Sequence, residues 1–530
     1  MAAVCNFPLF SIVLCLISGT GSAVLKKEAA RIVNIVLITV CGLMSVAVML
    51  YCAKYGSFTY MMGHFPAPWG NEVRGGVLEG FMGAFFCLIM LLSMLGGHKK
   101  LFDEVEISKH NLYYVLVNLL LSSLIALVYT NDLFTAYVFV EINTISACGL
   151  IMIRQTGRTL EAAVRYMIMS LLGSGLLLIG ICILYDITGH LLMSNIRESV
   201  EALIATGEYR EPLVVSVALM CVGLAIKSAL FPFHAWLPDA YGYSTVSSAA
   251  ILSSLVSKGY IFLLIKIFYR VIGFETVCGT KIMNVLFVFG LIAMVSGSVG
   301  AIRENDIRRM IAYSSIAQIG YIYMGFGMGT ELGMVASIFH ILSHAATKSL
   351  LFIAAIGLTD VSHGSRAFLD LTGSAHRNRI AGAGFLVGAL SMVGIPLFSG
   401  FISKLQFMDA AGSLSYSKML PSLVVLGIST ILNAIYFMKT VLRIYTPAEK
   451  IPVNRAMADA PTVTAPSAFH VATGERKGIN GLIVEKDRIL FKEEAGYGIV
   501  ILCFILLNMA LGLMSTPILQ AIRDGLSMFS

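Results

Sequence analysis

Charge is what this sequence has least of. Of its 530 residues, 13% are charged, where a soluble globular chain carries roughly 25%. That deficit excludes a water-soluble domain, and the modest formal charge of +7 reads as membrane topology rather than affinity for nucleic acid. Paired cysteines are also missing. Ten cysteines are scattered without a C-x-x-C pair, which excludes an iron–sulfur or disulfide framework and leaves them as small apolar membrane residues. There is no Walker loop, no Rossmann fingerprint and no ligand set for a redox centre. No cofactor and no redox or hydrolytic site are therefore expected on this chain. What is present is apolar: 57% of residues are hydrophobic and the mean hydropathy is +0.84. The apolar residues come in long runs rather than in alternation, so the expectation is an all-α polytopic membrane protein.

At ~20 residues per crossing, the runs predict about fourteen spans, near 4–24, 32–54, 76–97, 111–130, 133–153, 162–186, 213–231, 244–270, 282–302, 308–328, 332–358, 380–403, 420–445 and 497–515. The first run has no basic residue before it, whereas Lys26, Lys27 and Arg31 follow it. A signal peptide has the opposite polarity, so this run is expected to be a membrane helix with its N-terminus outside. Connections after odd-numbered spans carry the lysines and arginines, among them Lys99, Lys100, Arg154, Arg158, Arg303, Arg308, Arg309, Arg366 and Arg377. The connection after span seven is the exception, with almost no charge. Under the positive-inside rule both termini fall on the non-cytoplasmic side of the cell (inner) membrane. The expected division is N-terminal helices over 1–110, five-helix units over 111–270 and 280–445, a proline-containing cytoplasmic linker over 446–496, and a last helix within 497–530.

An ionisable group at the bilayer centre costs on the order of 2.5–3.5 kcal/mol, so each one inside a span is a candidate functional residue. Glu141 lies mid-span. Lys227 closes an apolar run and is followed at once by Pro232, His234, Pro238 and Asp239. Proline removes a backbone donor and clashes with the preceding turn. Broken backbone at membrane depth is tolerated only inside protein or against water. Lys258 falls within span eight, Lys404 follows Pro396 in span twelve, and Lys439 lies in span thirteen. His340, His344 and Lys348 recur at i, i+4 and i+8, on one helical face. The two histidines lack the glutamate of H-E-x-x-H and any nearby further ligand, so no metal site is expected. The bland alternatives are that Lys404 and Lys439 snorkel to headgroups, that Glu141 pins a helix contact, and that His234 and Asp239 only satisfy backbone freed by the prolines. A broken helix with a lysine followed by a lysine-bearing helix occurs twice (Lys227 with Lys258, then Lys404 with Lys439). Five spans separate the copies, which suggests two inverted repeats.

Three stretches carry a family resemblance. Phe231-Pro-Phe-His-Ala-Trp-Leu-Pro-Asp-Ala240, Glu304-Asn-Asp-Ile-Arg-Arg-Met-Ile-Ala-Tyr-Ser-Ser-Ile-Ala-Gln-Ile-Gly-Tyr321 and Gly394-Ile-Pro-Leu-Phe-Ser-Gly-Phe-Ile-Ser-Lys404 resemble signatures of the antiporter-like proton-pumping subunits. These occur in respiratory complex I, Mrp-type sodium/proton antiporters and membrane-bound hydrogenases. The resemblance covers roughly 60–445. It implies two inverted five-helix repeats with broken helices seven and twelve, and a line of buried charges across the membrane plane. Glu141 and Lys227 resemble its coupled acid–lysine pair, Lys258 its central relay residue, His344 and Lys348 its polar cluster in span eleven, and Lys404 its distal lysine. Members usually have a proline-containing turn after Pro-Asp-Ala, where this chain has Tyr241-Gly-Tyr-Ser-Thr-Val246. The resemblance implies a proton-translocating subunit, with sodium exchange left open, surrounded by lipid and by the other membrane subunits of a hetero-oligomeric complex. Any redox chemistry of the parent complex belongs to other chains. A stand-alone proton-coupled solute transporter is the alternative.

Overall fold

The computed structural model describes residues 2–66, 69–447 and 480–529. Most of the expected linker, 448–479, lies outside them. Long helices dominate: α1 (Phe7–Val24), α2 (Lys27–Tyr55), α3 (Val77–Glu104), α4 (His110–Tyr129), α5 (Leu133–Met152), α6 (Gly157–Thr188), α7 (Met193–Thr206) and α8 (Arg210–Lys227). The chain continues through a short α9 (Leu237–Tyr243) into α10 (Val246–Ile272). Then come α11 (Ile282–Arg303), α12 (Ile307–Gly327), α13 (Glu331–Asp360), α14 (Arg379–Val393), α15 (Ser399–Gly412), α16 (Tyr416–Tyr445), α17 (Asn480–Leu513) and α18 (Ser515–Ser527). The last apolar helix starts at Asn480, before the expected boundary at 497.

Eleven of the described helices are long and apolar enough to cross a membrane. The other three expected spans fall on helices that are charged or interrupted. α8 carries Arg210, Glu211 and Lys227, α12 opens on Arg308 and Arg309, and α14 stops after 15 residues. One strand pair joins the helices: β1 (Phe58–Met61) and β2 (Glu72–Gly75) pair antiparallel, with Phe58 opposite Gly75 and Met61 opposite Glu72. It lies outside the apolar runs, where the backbone is free to pair between strands.

Helix starts follow capping chemistry. Asp132 accepts from the Thr135 amide at 2.6 Å, Asp306 from Arg308 at 2.8 Å, Thr330 from Gly333 at 3.2 Å and Asn378 from Ala381 at 3.0 Å. Each satisfies an amide that the helix leaves orphaned. The layering of the bundle decides where the site sits. The apolar windows of α10 and α13 are 100% buried, whereas those of α1, α2, α16 and α17 are 33% buried. Lys258 rides on α10 and His340, His344 and Lys348 on α13, so the two most enclosed helices carry half of the eight candidate relay residues.

Both expected helix breaks are present. α8 ends at Lys227, Ala229 takes φ 63°, the Phe231–Pro232 peptide is cis, and α9 restarts at Leu237. α14 ends at Val393, Gly394 takes φ 92°, Leu397 takes φ 88°, and α15 restarts at Ser399. One end of the bundle gathers the basic connections. There Arg154 and Arg308 lie 3.7 and 3.9 Å from Glu104, and Arg366 lies 3.3 Å from Asp306. The β1–β2 hairpin marks the opposite end.

Candidate functional site

Lys227 is fully buried, and its Nζ lies 3.8 Å from Glu141 Oε1. It donates to Thr144 Oγ1 at 2.7 Å and stands over the Tyr260 ring at 5.4 Å. Glu141 and Thr144 are three residues apart on α5 and so share a face. The approach of α8 is set by glycines. A Cβ on Gly173 of α6 would meet the Gly223 carbonyl at 2.8 Å and Lys227 Cγ at 3.1 Å, so the absent side chain makes room for the lysine stem. Glu141 keeps 24% of its side-chain surface exposed, which places the acid at the flank of the bundle and the lysine inside it.

From Lys227 the polar groups turn inward. Tyr260 donates to Asn143 Oδ1 at 2.9 Å. Two residues before it on α10, buried Lys258 donates to the Ser253 carbonyl. The turn between them, Leu252–Val256, is π-helical, a widened turn typical of functional sites. Lys258 and Lys348 both lie near enough to His344 to act on it through their charges. Lys348 donates to the Ile311 carbonyl at 2.8 Å and to Ser314 Oγ. Neither ring nitrogen of His344 has a hydrogen-bond partner among the described residues. A buried imidazole without a partner is where an ordered water is expected.

The His340 and His344 rings stack at 6.0 Å, as their i, i+4 spacing requires. His340 Nδ1 meets Ser403 Oγ at 2.6 Å, and its ring lies 5.4 Å from that of Tyr321. The neighbour of Ser403 is Lys404, which donates to the Val393 carbonyl at 2.6 Å and to Thr430 Oγ1 at 3.1 Å. It stands over Tyr321 at 5.9 Å. A Cβ on Gly394 would meet Lys404 Cδ at 2.9 Å. Glycine there both allows the positive φ and lets the lysine fold back onto the end of α14.

The structure thus brings seven of the named residues into one line: buried Lys227, Lys258, His344, Lys348, His340 and Lys404, with Glu141 at its flank. Lys439 stands apart. It is exposed, and lines a small cleft with Glu304 and Arg443. In burial it does not match Lys258, its expected counterpart in the second repeat. Asp239 faces the arginine-rich end, where it pairs with Arg165 at 2.9 Å and with Arg309. Pro238 sits in the first turn of α9, where its missing amide costs nothing. Pro232 and Pro396 are exposed at the flank of the bundle. His234 is half-buried and stacks on Phe231 at 5.5 Å.

The sequence reading passed over Lys266 and Arg270. Lys266 is fully buried on α10 and donates to the carbonyls of Val128 at 2.9 Å, Leu127 at 3.4 Å and Thr130. The same i+4 and i+8 spacing that singled out the face of α13 relates Lys266 to Lys258 and to Arg270, and was the available signal.

Residues 130–432 match the family described as NADH:quinone oxidoreductase/Mrp antiporter, TM. A relative named NADH-quinone oxidoreductase subunit N, from Desulforudis audaxviator, is 32% identical over 411 residues, covering 76% of this chain and 78% of the relative. A chain in the structure of the Mrp complex from Dietzia sp. superposes with a TM-score of 0.81 at 23% identity, covering 99% of this chain and 97% of that one. A chain of the membrane-bound sulfane sulfur reductase, an archaeal respiratory membrane complex, gives 0.79 at 24% identity, covering 98% and 97%. At these identities the two structural likenesses concern the fold alone. The matched stretch holds more than half of the chain and every residue of the buried line, and the chain belongs to the NADH:quinone oxidoreductase/Mrp antiporter transmembrane family.

Proposed function

We propose that this chain is the proton-translocating membrane subunit of a multi-subunit complex, and that protons move along Lys227, Lys258, His344, His340 and Lys404. The observation that carries the reading is the buried Lys227 held 3.8 Å from a flank-exposed Glu141. At that distance a carboxylate stabilises the ammonium. When the carboxylate is drawn away or neutralised, the cost of burying charge favours the neutral amine, and Lys227 gives up its proton. The aromatic and hydroxyl groups between the lysines and histidines orient carriers, and waters beside His344 would bridge them. Each transfer changes the charge facing the next member, so a change imposed on Glu141 by a neighbouring subunit is felt along the line.

In this reading the two lysine-bearing breaks belong to inverted repeats, the arginine-rich end faces the cytoplasm, and both termini lie on the other side. The transported ion is the proton, with sodium exchange as the further case to assay. A stand-alone solute transporter is disfavoured, because the lysines of the line are held by the protein's own groups, Lys227 by Thr144, Lys348 by the Ile311 carbonyl and Lys404 by the Val393 carbonyl and Thr430. Lys227→Ala and Glu141→Ala are each expected to abolish coupled transport in inverted vesicles while the complex still assembles. Normal pumping by either variant would remove the pair from the mechanism.

A further inference from the structure

The two halves of α10 differ in chemistry. Between Val246 and Lys258 it carries Ser247, Ser248, Ser253, Ser254 and Ser257. Several join other hydroxyls: Tyr113 meets Ser247 at 2.7 Å, Ser254 meets Ser349 at 2.8 Å and Tyr241 meets Ser257 at 3.3 Å. From Gly259 to Ile265 the helix is apolar apart from Tyr260. It then reaches Lys266 and the hairpin end.

That end is closed by a cluster of buried charges. Arg74 of β2 pairs with Glu79 at 2.6 Å, both almost fully buried. Asn131 donates to Glu72 at 2.5 Å. Lys266, Arg270, Glu79 and Arg74 lie near enough to act on one another electrostatically. Three cations face two carboxylates, and Arg270 Nη1 has no hydrogen-bond partner among the described residues. Over the cluster lies Phe529, with the Arg74 guanidinium 5.5 Å from its ring and Phe262 and Tyr269 at 6.3 and 6.4 Å. Arg74 also donates to the Met528 carbonyl.

We propose that Lys266 is an insulating residue, a fixed positive charge on the carbonyls of Leu127, Val128 and Thr130 that keeps a proton at Lys258 from leaving along α10 toward the hairpin end. Three carbonyl acceptors on one Nζ match the three donors of an ammonium, and a neutral amine has only two. Those carbonyls belong to the last turn of α4 and the residue after it, where helix acceptors are orphaned and the dipole favours a cation. The charge is therefore held in place rather than free to relay. Fixed cations are a general device for excluding protons and cations from a pathway. The proposal rests on the proton-relay reading of Lys258.

The size of the effect follows from geometry. Eight helical residues put Lys266 about 12 Å from Lys258, where at an effective dielectric near 20 one unit charge alters the occupancy of another by roughly tenfold. The test uses vesicles holding the assembled complex, an imposed proton gradient and a pH-sensitive dye. Lys266→Met is expected to speed the passive decay of the gradient about tenfold, on the same scale, and Lys266→Arg to restore tightness. The added leak is expected to vanish in Lys258→Met/Lys266→Met, because it passes through Lys258. Unchanged decay in Lys266→Met at equal assembly overturns the proposal, and so does a leak that persists in the double variant. Should Lys266→Met fail to assemble, Lys266→Gln, which also removes the charge but leaves an amide to donate to the Val128 and Thr130 carbonyls, is read in the same way. Coupled transport by Lys258→Met alone separates the two claims. If it is normal, the relay reading fails. If it is lost while Lys266→Met stays tight, only the insulating role fails.

Discussion

The two helix breaks look alike in sequence and are built on different chemistry. At the first, Lys227 faces a carboxylate at 3.8 Å, and α9 is tied to the arginine-rich end by the ion pairs of Asp239 with Arg165 and Arg309. At the second, Lys404 has, among the described residues, only neutral partners, the Val393 carbonyl and the Thr430 hydroxyl. There the ends are stitched by Asn508 of α17, whose Oδ1 accepts from Ser399 at 2.7 Å and from Ser391 at 2.8 Å. The first break is ionic and can be switched by moving one charge. The second is a web of neutral hydrogen bonds, and its lysine can respond only to what arrives along the line.

The largest way to break this contrast is Glu141→Gln. A charge pair at 3.8 Å is worth roughly 4 kcal/mol at an effective dielectric of 20, and allowing for the partial exposure of Glu141 the coupled rate is expected to fall on the order of a hundredfold. Proton uptake into inverted vesicles, normalised to assembled complex, checks this. Next comes Asn508→Ala, which strips acceptors from buried Ser391 and Ser399. It should destabilise the protein by about 3 kcal/mol, measured as a shift of the thermal transition in detergent. Asp239→Asn should cost less, about 2 kcal/mol, since Arg165 is half exposed. Its penalty should shrink as salt is raised, while that of Asn508→Ala should not. Equal salt dependence in the two variants would erase the ionic/neutral distinction.

Thr430→Val removes one neutral partner of Lys404 and is expected to slow coupled transport by about fivefold, the scale of a single hydrogen bond. A loss as deep as that of Glu141→Gln would show the second lysine to be as tightly controlled as the first. The smallest effect is expected from Ala229→Gly. Relief of the strained φ at the first break and the greater freedom of the unfolded chain nearly offset one another, so stability should move by less than about 1 kcal/mol.

Much of this architecture was legible in the residues. The long apolar runs announced membrane helices, and the prolines at 232 and 396 marked breaks that the structure contains. The i, i+4, i+8 spacing placed His340, His344 and Lys348 on one face, and that face is buried. Lys439 shows where such reading stops. A lysine inside an apolar run can point to the bundle centre or to its edge, and rotation about the helix axis, set by neighbours far away in sequence, chooses between them. Lys266 is the converse case. Its i+8 spacing from Lys258 is the one local signal, and the three acceptors that give it a role come from a turn more than a hundred residues earlier. The role of Asp239 also depended on distant partners, since Arg165 and Arg309 sit on two other helices.

Composition and motif order were thus sufficient for the class of protein, for the helical architecture and for part of the roster of costly buried charges, which lacked Lys266 and Arg270 and included the exposed Lys439. Those properties depend on the chemistry of each segment against lipid, which is local. Which charges meet, at what distance and with which counter-groups, came only with folding. Glu141 and Lys227 are remote in the chain, and only the close packing of α6 against α8 through Gly173 and Gly223 brings the lysine stem to the acid-bearing face of α5. The energy of an ion pair or of an orphaned carbonyl depends on separations of a few ångströms between distant residues, and those separations are a property of packing.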